Sequence, residues 1–485
     1  MTKNIVVMAL FLSCAGIQAS SAAGGPPDYE AAGKTIQPAP PDPEIAAALQ
    51  QVSPERIRAT IETLVGFHNR NTLSSMDKNL KPGEGVLAAA DWIEKQFKSY
   101  SDACGGCLDV KRDTFTALVQ NRILQPTTVV NVYAVLRGSD PAQASRIYLV
   151  TGHYDSRDSD TLDTHGFAPG ANDDASGVAV SLECARVLSR HKFPATLVFA
   201  AVAGEEQGLV GSGHLAQLAK QEGWQLGGVL NNDIVGGNTT PGDKLQDKSS
   251  VRVFSEGIPE TATLDQIRRI EAVGTQNDSP SRELAREICD VAKTYFPKGK
   301  NGSNALHPVL EFRRDRFLRG GDHMSFTRQG FTAVRFTEWR EDFNHQHQNV
   351  RTEDGVEYGD ELKFVDFRYV ANVTRLNAAT LAALASAPGE PADVQVITRK
   401  LDNNTELRWK APSGVPPGTV YQIVWRATTS PDWQYGTPSN AFGDIGSGED
   451  RTAILPVSKD NVIFGVQSVD LAGHRSAAVT PDPKR

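Results

Sequence analysis

The sequence predicts an α/β protein with a mostly parallel or mixed central sheet, helices on both faces of that sheet, and a smaller C-terminal all-β sandwich. Apolar strand-like runs such as Arg146–Thr151 and Thr196–Ala203 alternate with helix-like segments such as Ser176–His191. Polar motifs follow these runs directly, as functional groups do beyond the carboxyl ends of parallel strands. After Pro391 the spacing changes to short strands separated by turns, which predicts the sandwich.

The length and net charge of the chain exclude some classes of function. The chain has 485 residues, 39% of them hydrophobic, which is enough for two or three soluble domains. The net charge is −8 and the pI is about 5.8. The sequence therefore has no basic footprint for nucleic acid and no basis for binding to anionic lipid.

The first 23 residues have the pattern of a secretory signal. Lys3 provides the positive region, Ile5–Leu12 the apolar core, and Ala19–Ala23 small residues suited to cleavage. The apolar run is too short for a stable membrane anchor, so we expect a secreted or periplasmic protein. A lipoprotein with acylated Cys14 is the alternative, but the preceding residues are a poor match to a lipobox.

Three further regions follow the signal. Residues 24–43 are rich in Gly, Ala and Pro and predict a linker or pro-segment. Residues 44–388 carry the α/β pattern, and Phe367–Ala387 is predicted as its closing helix. Residues 391–482 carry the β pattern. Short motifs in this last region, Leu407–Trp409, Tyr421–Trp425 and Phe464–Asp470, resemble a fibronectin type III module.

The mature chain has four cysteines. Cys104 and Cys107 are most simply a local disulfide in an oxidising compartment. A redox pair or half of a zinc site would be the functional alternatives. Cys184 and Cys289 lie in apolar and amphipathic runs and are predicted to be buried free thiols.

Acidic residues and one histidine gather at the predicted strand ends. His153 and Asp155 are two apart, so on a strand they point to the same side, and a carboxylate commonly orients a metal-binding imidazole. Adjacent acids Glu205 and Glu206 follow an apolar run, where they would be costly if buried without partners. Each motif alone also has an ordinary explanation, such as a surface pair or a helix N-terminus.

Together these residues fit a site for two metal ions. Asp173, Glu206 and Asp233 with two neutral imidazoles carry three negative charges, and one bridging hydroxide would neutralise the remaining positive charge of two divalent cations. The predicted chemistry is metal-assisted hydrolysis.

These motifs resemble the co-catalytic zinc aminopeptidases, a family that also includes glutamate carboxypeptidase-like and transferrin-receptor-like ectodomains. The resemblance covers about residues 53–387. It rests on four motifs in the family's order: His153-x-Asp155, Gly170-Ala-Asn-Asp-Asp-Ala-Ser-Gly177, Gly204-Glu-Glu-x-Gly208 and Asn232-Asp233.

The resemblance implies a role for each site residue. Asp173 would bridge two zinc ions, and the peptide bond between Asp173 and Asp174 would be cis. His153 and Asp233 would complete one metal site, and Glu206 with a later histidine would complete the other. Asp155 would orient the first histidine, and Glu205 would be the general base.

The later histidine is the point at which this sequence departs from the family pattern. The family shows Tyr-His-Thr-x-x-Asp, whereas this chain has Asn344-His-Gln-His-Gln-Asn349. Alignment from the first histidine selects His345 as the ligand, with His347 as the alternative. The upstream residues Asp322 and His323 are candidates for the substrate pocket.

The resemblance implies a secreted zinc-dependent exopeptidase with two Zn²⁺ per chain. The function that the resemblance most directly implies is that of an aminopeptidase, which hydrolyses N-terminal bonds of peptide substrates with a metal-activated hydroxide. The alternatives are a single-zinc acyltransferase of the glutaminyl-cyclase kind and a receptor-like ectodomain without metals.

Overall fold

The computed structural model describes residues 32–297, 306–444 and 449–485. The predicted signal peptide and the first part of the predicted linker lie outside these residues. The helices are α1 Pro43–Gln50, α2 Pro54–Val65, α3 Val86–Ala103, α4 Ala175–Leu188, α5 Val210–Gln221, α6 Leu264–Val273, α7 Pro280–Tyr295, α8 His323–Thr327 and α9 Phe367–Ser386. The strands are β1 Lys34–Thr35, β2 Leu108–Ala117, β3 Thr127–Leu136, β4 Arg146–His153, β5 Thr196–Val202, β6 Gln225–Asn232, β7 Ser250–Ser255, β8 His307–Glu311, β9 Ala333–Glu338, β10 Arg351–Glu353, β11 Val356–Tyr358, β12 Ala392–Ile397, β13 Thr405–Lys410, β14 Val420–Ala427, β15 Tyr435–Pro438, β16 Asp450–Leu455, β17 Val462–Val469 and β18 Asp482–Lys484.

The first domain is built on an eight-stranded mixed sheet with the order β2-β3-β5-β4-β6-β9-β7-β8. The four central strands β5, β4, β6 and β9 are parallel, and the outer pairs β3–β5 and β7–β9 are antiparallel. The predicted α/β fold with a mixed central sheet is confirmed.

Helices cover both faces of this sheet. The larger core lies on one face and includes side chains of α2, α3, α4 and α9, such as Ile61, Phe97 and Leu376. The smaller core lies on the other face, where Leu215 of α5 and Phe326 of α8 pack on the strands. Every residue of β5 is buried, which explains why its sequence is a continuous apolar run rather than an alternating one.

The second domain consists of two four-stranded sheets, ordered β16-β13-β12-β18 and β1-β15-β14-β17. Leu407 and Trp409 of one sheet share a hydrophobic core with Ile423, Trp425 and Phe464 of the other. The predicted all-β sandwich is confirmed. The fibronectin type III resemblance stays a prediction.

Part of the predicted linker is ordered against the second domain. Lys34 and Thr35 form an edge strand that pairs antiparallel with β15. The segment then reaches the first domain, where the Asp42 carboxylate caps the N-terminus of α1 and lies 3.1 Å from the His474 ring of the second domain. The described part of this segment therefore contacts both domains.

A buried group of charged side chains joins the two domains. Asp278 and Glu283 come from the first domain and Arg426 from the second, and the side chains of all three are at most 5% exposed. Arg426 pairs with Asp278. The Trp433 indole donates a hydrogen bond of 3.0 Å to Glu283. These contacts make the domain boundary a packed, polar interface.

Cys104 and Cys107 form a disulfide, with an S–S distance of 1.98 Å, as predicted. Cys184 and Cys289 are free and buried. Among the described residues, no helix has both the length and the apolar character that crossing a membrane requires.

Candidate metal centre

The predicted site residues converge beyond the carboxyl ends of three neighbouring parallel strands. His153 is the last residue of β4, Asp233 directly follows β6, and Glu206 lies in the turn after β5. Asp173 lies just before α4, on the loop that crosses this edge of the sheet. The fold thus brings together residues that are up to 80 positions apart in the sequence.

Two sets of side chains could each hold a metal ion, and both sets include Asp173. The first set is His153, Asp173 and Asp233, and the second is Asp173, Glu206 and His347. Within each set the candidate ligand atoms lie within 4.8 Å of one another. A carboxylate common to two such sets is the arrangement needed to bridge two cations.

The hydrogen bonding of these atoms fits a pair of cations. The His153 Nε2 atom lies 3.1 Å from Asp173 Oδ1, and the His347 Nε2 atom lies 2.8 Å from both Asp173 Oδ2 and Glu206 Oε1. These are close contacts rather than hydrogen bonds. Both Nε2 atoms and Glu206 Oε1 are buried without a hydrogen-bond partner among the described residues. Nitrogen and carboxylate oxygen ligands of this kind suit zinc, so the residues fit the predicted metal.

Asp155 contacts its predicted partner His153 and also the backbone of both glutamates. Its backbone carbonyl lies 3.2 Å from His153 Nδ1 and its carboxylate 3.4 Å from the same atom. The carboxylate also accepts hydrogen bonds from the backbone N–H groups of Glu205 and Glu206, at 3.3 and 3.1 Å. Asp155 therefore ties the first histidine to the turn that carries the two glutamates.

The loop that carries Asp173 is fixed by two further carboxylates. The Asp173–Asp174 peptide bond is cis. Asp174 accepts hydrogen bonds from the backbone N–H groups of His153 and Gly177, at 3.0 and 2.9 Å. Asp360 accepts one from the N–H of Asp173 at 2.7 Å. Sequence reasoning had no signal for Asp360, which is almost 190 residues away.

Two arginines contact the candidate ligands, and sequence reasoning missed both. Arg335 Nη2 lies 2.9 Å from Asp233 Oδ1, and Arg157 Nε lies 2.8 Å from Glu206 Oε2. Arg335 lies on β9, which pairs with β6. Arg157 lies two residues after the motif His153-x-Asp155. Each guanidinium offsets part of the charge of a buried carboxylate, which lowers the cost of burying it.

The Arg157 guanidinium also contacts the second ring nitrogen of His347. Arg157 Nη2 lies 2.6 Å from His347 Nδ1, and a guanidinium donates but does not accept. This contact suits an unprotonated Nδ1. A metal ion bound through Nε2 would need the proton on Nδ1 instead, so metal binding at this position would change the contact with Arg157.

His345 does not reach the cluster, which corrects the prediction from the alignment. Its ring stacks on Phe364 at 3.5 Å between centroids, and its Nδ1 lies 3.0 Å from the Thr240 hydroxyl. His347, two residues later, lies between Asp173 and Glu206 instead. The backbone at His347 is left-handed, with φ of 54°, so the loop turns sharply and the alignment of neighbouring residues does not determine which ring points inward.

Of the other predicted residues, Glu205 lines the cavity, whereas Asp322 and His323 do not. Glu205 lines the cavity next to the ligands, and burial, with Asp233 and Glu206 nearby, raises its pKa well above the usual range. Asp322 and His323 are buried and do not line that cavity. The two residues predicted for the pocket are therefore not part of the lining of this cavity.

A cavity of about 570 Å³ opens beside both sets of ligands. Asp173, Glu205, Glu206, Asp233 and His347 form its polar floor. A volume of this size accommodates a few amino-acid residues of a substrate. The arrangement places a candidate base and two candidate metal sets at the bottom of one cleft, as hydrolysis of a bound substrate requires.

Comparisons with known proteins agree with this geometry. The model of "Peptidase family M28" matches residues 131–354. A probable zinc metalloprotease of Pyrenophora teres f. teres is 41% identical over 454 residues, which covers 93% of this chain and 89% of the relative. A probable zinc metalloprotease of Leptosphaeria maculans is 43% identical over 92% of this chain and 99% of its own length.

A solved structure supports the fold. LapA of Legionella pneumophila is 20% identical, with a TM-score of 0.50 over 72% of this chain and 79% of that structure. This likeness concerns the fold, whereas the sequence relatives carry the family assignment. The family that the sequence motifs indicated is confirmed: the chain belongs to peptidase family M28 and is a peptide hydrolase.

Proposed function

We propose that the protein is a secreted zinc aminopeptidase that binds two metal ions per chain. The observation that carries this proposal is the pair of ligand sets that share Asp173, with buried nitrogen and oxygen atoms that lack hydrogen-bond partners. His153 and Asp233 complete one set. Glu206 and His347 complete the other, so that His347 takes the role first predicted for His345. The names of the relatives, probable zinc metalloproteases, support zinc as the metal.

The residues of the chain divide the work of hydrolysis. Zinc ions held by the two ligand sets would polarise a substrate carbonyl and make a water molecule more acidic. Glu205 takes the proton from the attacking water and passes it to the leaving amine. Asp155 holds His153 and the backbone of both glutamates in position. The cleft shields the reacting groups from bulk water.

The substitution Glu205→Gln tests the proposed base. We expect kcat for an amino-acid anilide to fall by about 10²- to 10⁴-fold, because proton transfer is lost, while the metal content stays at that of the wild type. Wild-type activity in this variant would show that another group is the base.

Metal analysis of the purified protein separates the proposal from its main alternative. We expect about two zinc ions per chain, complete loss of peptidase activity with a chelator, and recovery on addition of zinc. About one zinc ion per chain, together with cyclisation of N-terminal glutamine, would instead indicate a single-zinc acyltransferase.

Export and domain organisation are part of the same proposal. Residues 1–23 are proposed as the signal peptide, residues 44–388 as the peptidase domain and residues 391–482 as a fibronectin type III-like domain. The sandwich of two four-stranded sheets supports the last assignment. N-terminal sequencing of the protein from the extracellular or periplasmic fraction tests the first, and an exported protein that still begins at Met1 would contradict it.

A further inference from the structure

The cavity beside the candidate metal centre is lined by more positive groups than that centre uses. Four arginines line it: Arg122, Arg157, Arg316 and Arg319. The acids that line it among the described residues are Asp173, Glu205, Glu206 and Asp233. All four acids are already assigned to metal binding or proton transfer. Once two divalent cations compensate these acids, the arginines leave the cavity with an excess of positive charge.

Two of the four arginines are fully engaged by neighbouring groups. Arg157 contacts Glu206 and His347. Arg316 lies 3.0 Å from Asp315 and 2.9 Å from Glu341, and its side chain is 9% exposed. Their N–H groups are directed to the protein itself, so they contribute charge more than free hydrogen-bonding capacity.

Arg122 is different, because it lines the cavity without an acidic partner among the described residues. It lies between β2 and β3 and is half-buried. Its Nη1 donates a hydrogen bond of 2.7 Å to the backbone carbonyl of Glu206, and none of its other N–H groups is bonded to a described residue. This single bond fixes the guanidinium next to a candidate metal ligand and leaves donors available for a bound molecule.

Arg319 is the second available guanidinium. Its Nη1 lies 2.8 Å from Glu341, and a third of its side chain is exposed. Glu341 also pairs with Arg316 and Arg252, each at 2.9 Å, so one carboxylate serves three arginines. Arg319 lies over the ring of Phe343, 5.8 Å from its centroid, and Phe343 lines the same cavity.

We propose that Arg122 and Arg319 bind a carboxylate of the substrate, so that this enzyme prefers peptides with a negative charge close to the scissile bond. The inference rests on the proposed peptidase function and adds the substrate class. Charge-assisted bonds from a guanidinium to a carboxylate are short, directional and stronger than neutral ones. Two sources supply this group: the terminal carboxylate of a very short peptide, or the side chain of an acidic residue.

Two matched pairs of substrates test the inference and distinguish the two sources. The pair Leu-Gly and Leu-Gly-amide differs only in the terminal carboxylate, and the 4-nitroanilides of Glu and Gln differ only in the side-chain charge. We expect kcat/KM to favour the charged member of one pair by about 10- to 100-fold, mainly through KM. The pair that shows the preference identifies the source.

Variants connect the preference to the two arginines. Arg122→Gln and Arg319→Gln should each bring the ratio of charged to neutral substrate towards one, whereas Arg122→Lys should restore part of it because the charge is kept. Arg268→Gln is the matched control, since Arg268 is an exposed arginine on α6. We expect this control to leave both the rates and the ratio unchanged.

Equilibrium binding provides a second readout that does not need turnover. In the Glu205→Gln background, Leu-Gly should bind more tightly than Leu-Gly-amide, or glutamate 4-nitroanilide more tightly than its glutamine analogue. Equal rates and equal affinities within both pairs would overturn the inference and leave the peptidase proposal intact. Failure to hydrolyse any of the four compounds would contradict the peptidase proposal, and the binding comparison then decides the carboxylate inference.

Discussion

Buried carboxylates gather at two places in this protein, and the comparison between them separates structural charge from functional charge. At the interface between the domains, Asp278 pairs with Arg426 and Glu283 with Arg286, and the side chains of all four are at most 5% exposed. Both of these carboxylates pair with a guanidinium from the protein itself, although Asp278 Oδ2 and Arg426 Nε lack a hydrogen-bond partner among the described residues. The positive and negative charges of this cluster are thus paired within the protein.

The candidate metal centre is also buried, but its charges are only partly satisfied. Arg335 and Arg157 contact Asp233 and Glu206, yet nothing among the described residues pairs with Asp173 except imidazoles and the Gln346 amide at 3.1 Å. Burying acids without full compensation destabilises a fold. A bound cation would compensate this cost at the candidate metal centre. The experiments below test whether the two clusters differ in this way.

The largest effect is expected from Asp173→Asn, which removes the carboxylate common to both ligand sets. Activity should fall by roughly a thousandfold or more, because metal ions contribute several kcal/mol to transition-state stabilisation. The metal-free variant should unfold at a lower temperature than metal-free wild type, because the Asp173 carboxylate is paired with the His153 and His347 imidazoles and its pKa is held well below the usual range. Metal analysis and thermal unfolding with chelator measure the two effects. Unchanged metal content would contradict the assignment.

The two histidines of the same loop provide a sharper comparison. His347→Gln should lose about one of two metal ions, because His347 lies between Asp173 and Glu206. His345→Gln is the matched control and should keep both ions, since its ring packs on Phe364. Zinc analysis after dialysis distinguishes them. The opposite result would restore the ligand selected by sequence alignment.

At the domain interface, Arg426→Met should destabilise the protein by about 3 kcal/mol, because it removes the closer of the two guanidinium partners of the buried Asp278 and leaves only Arg286 at 3.5 Å. Metal content should not change. Lys293→Met is the control: its pair with Asp290 is partly exposed, at 47% and 28%, and surface pairs contribute only about 0–1 kcal/mol. Urea unfolding measures both values. Equal losses of unfolding free energy in the two variants would show that the buried interface pair contributes no more than the partly exposed pair.

The smallest effect concerns acid stability. Burial lowers the pKa of His323 to about 4 from a usual 6.5, although Asp315 opposes the shift. Below pH 6.5 the unfolded chain takes up a proton that the folded chain refuses until about pH 4. Stability is therefore lost as the pH falls through this window, by up to roughly 3 kcal/mol from this group.

His323→Gln should flatten that part of the pH profile, because glutamine does not titrate and its amide can still donate to the Arg314 carbonyl, which His323 Nε2 contacts at 2.9 Å. Urea unfolding at several pH values between 4 and 7 measures the slope. A variant with the wild-type slope would assign the acid sensitivity to other groups.

The sequence alone predicted the sheet and most of the side chains that the structure brings together at its edge. The runs before His153 and Glu205 are apolar because β4 and β5 are buried in the centre of the sheet, and the polar motifs follow because parallel strands end at one edge. It did not predict α6, although this helix opens with a capping box and carries an apolar side chain at every third position; none of its residues is buried.

Only the tertiary structure decided between His345 and His347, and only it revealed Arg122, Arg157, Arg335 and Asp360 around the site. The reason is the same in each case. The strand-end residues are positioned by regular elements whose period can be read from the sequence, whereas these residues are positioned by irregular loops or by contacts with distant segments. The spacing of neighbouring residues does not predict the left-handed backbone at His347. It also does not predict the contact of the Asp360 carboxylate with Asp173, almost 190 residues away.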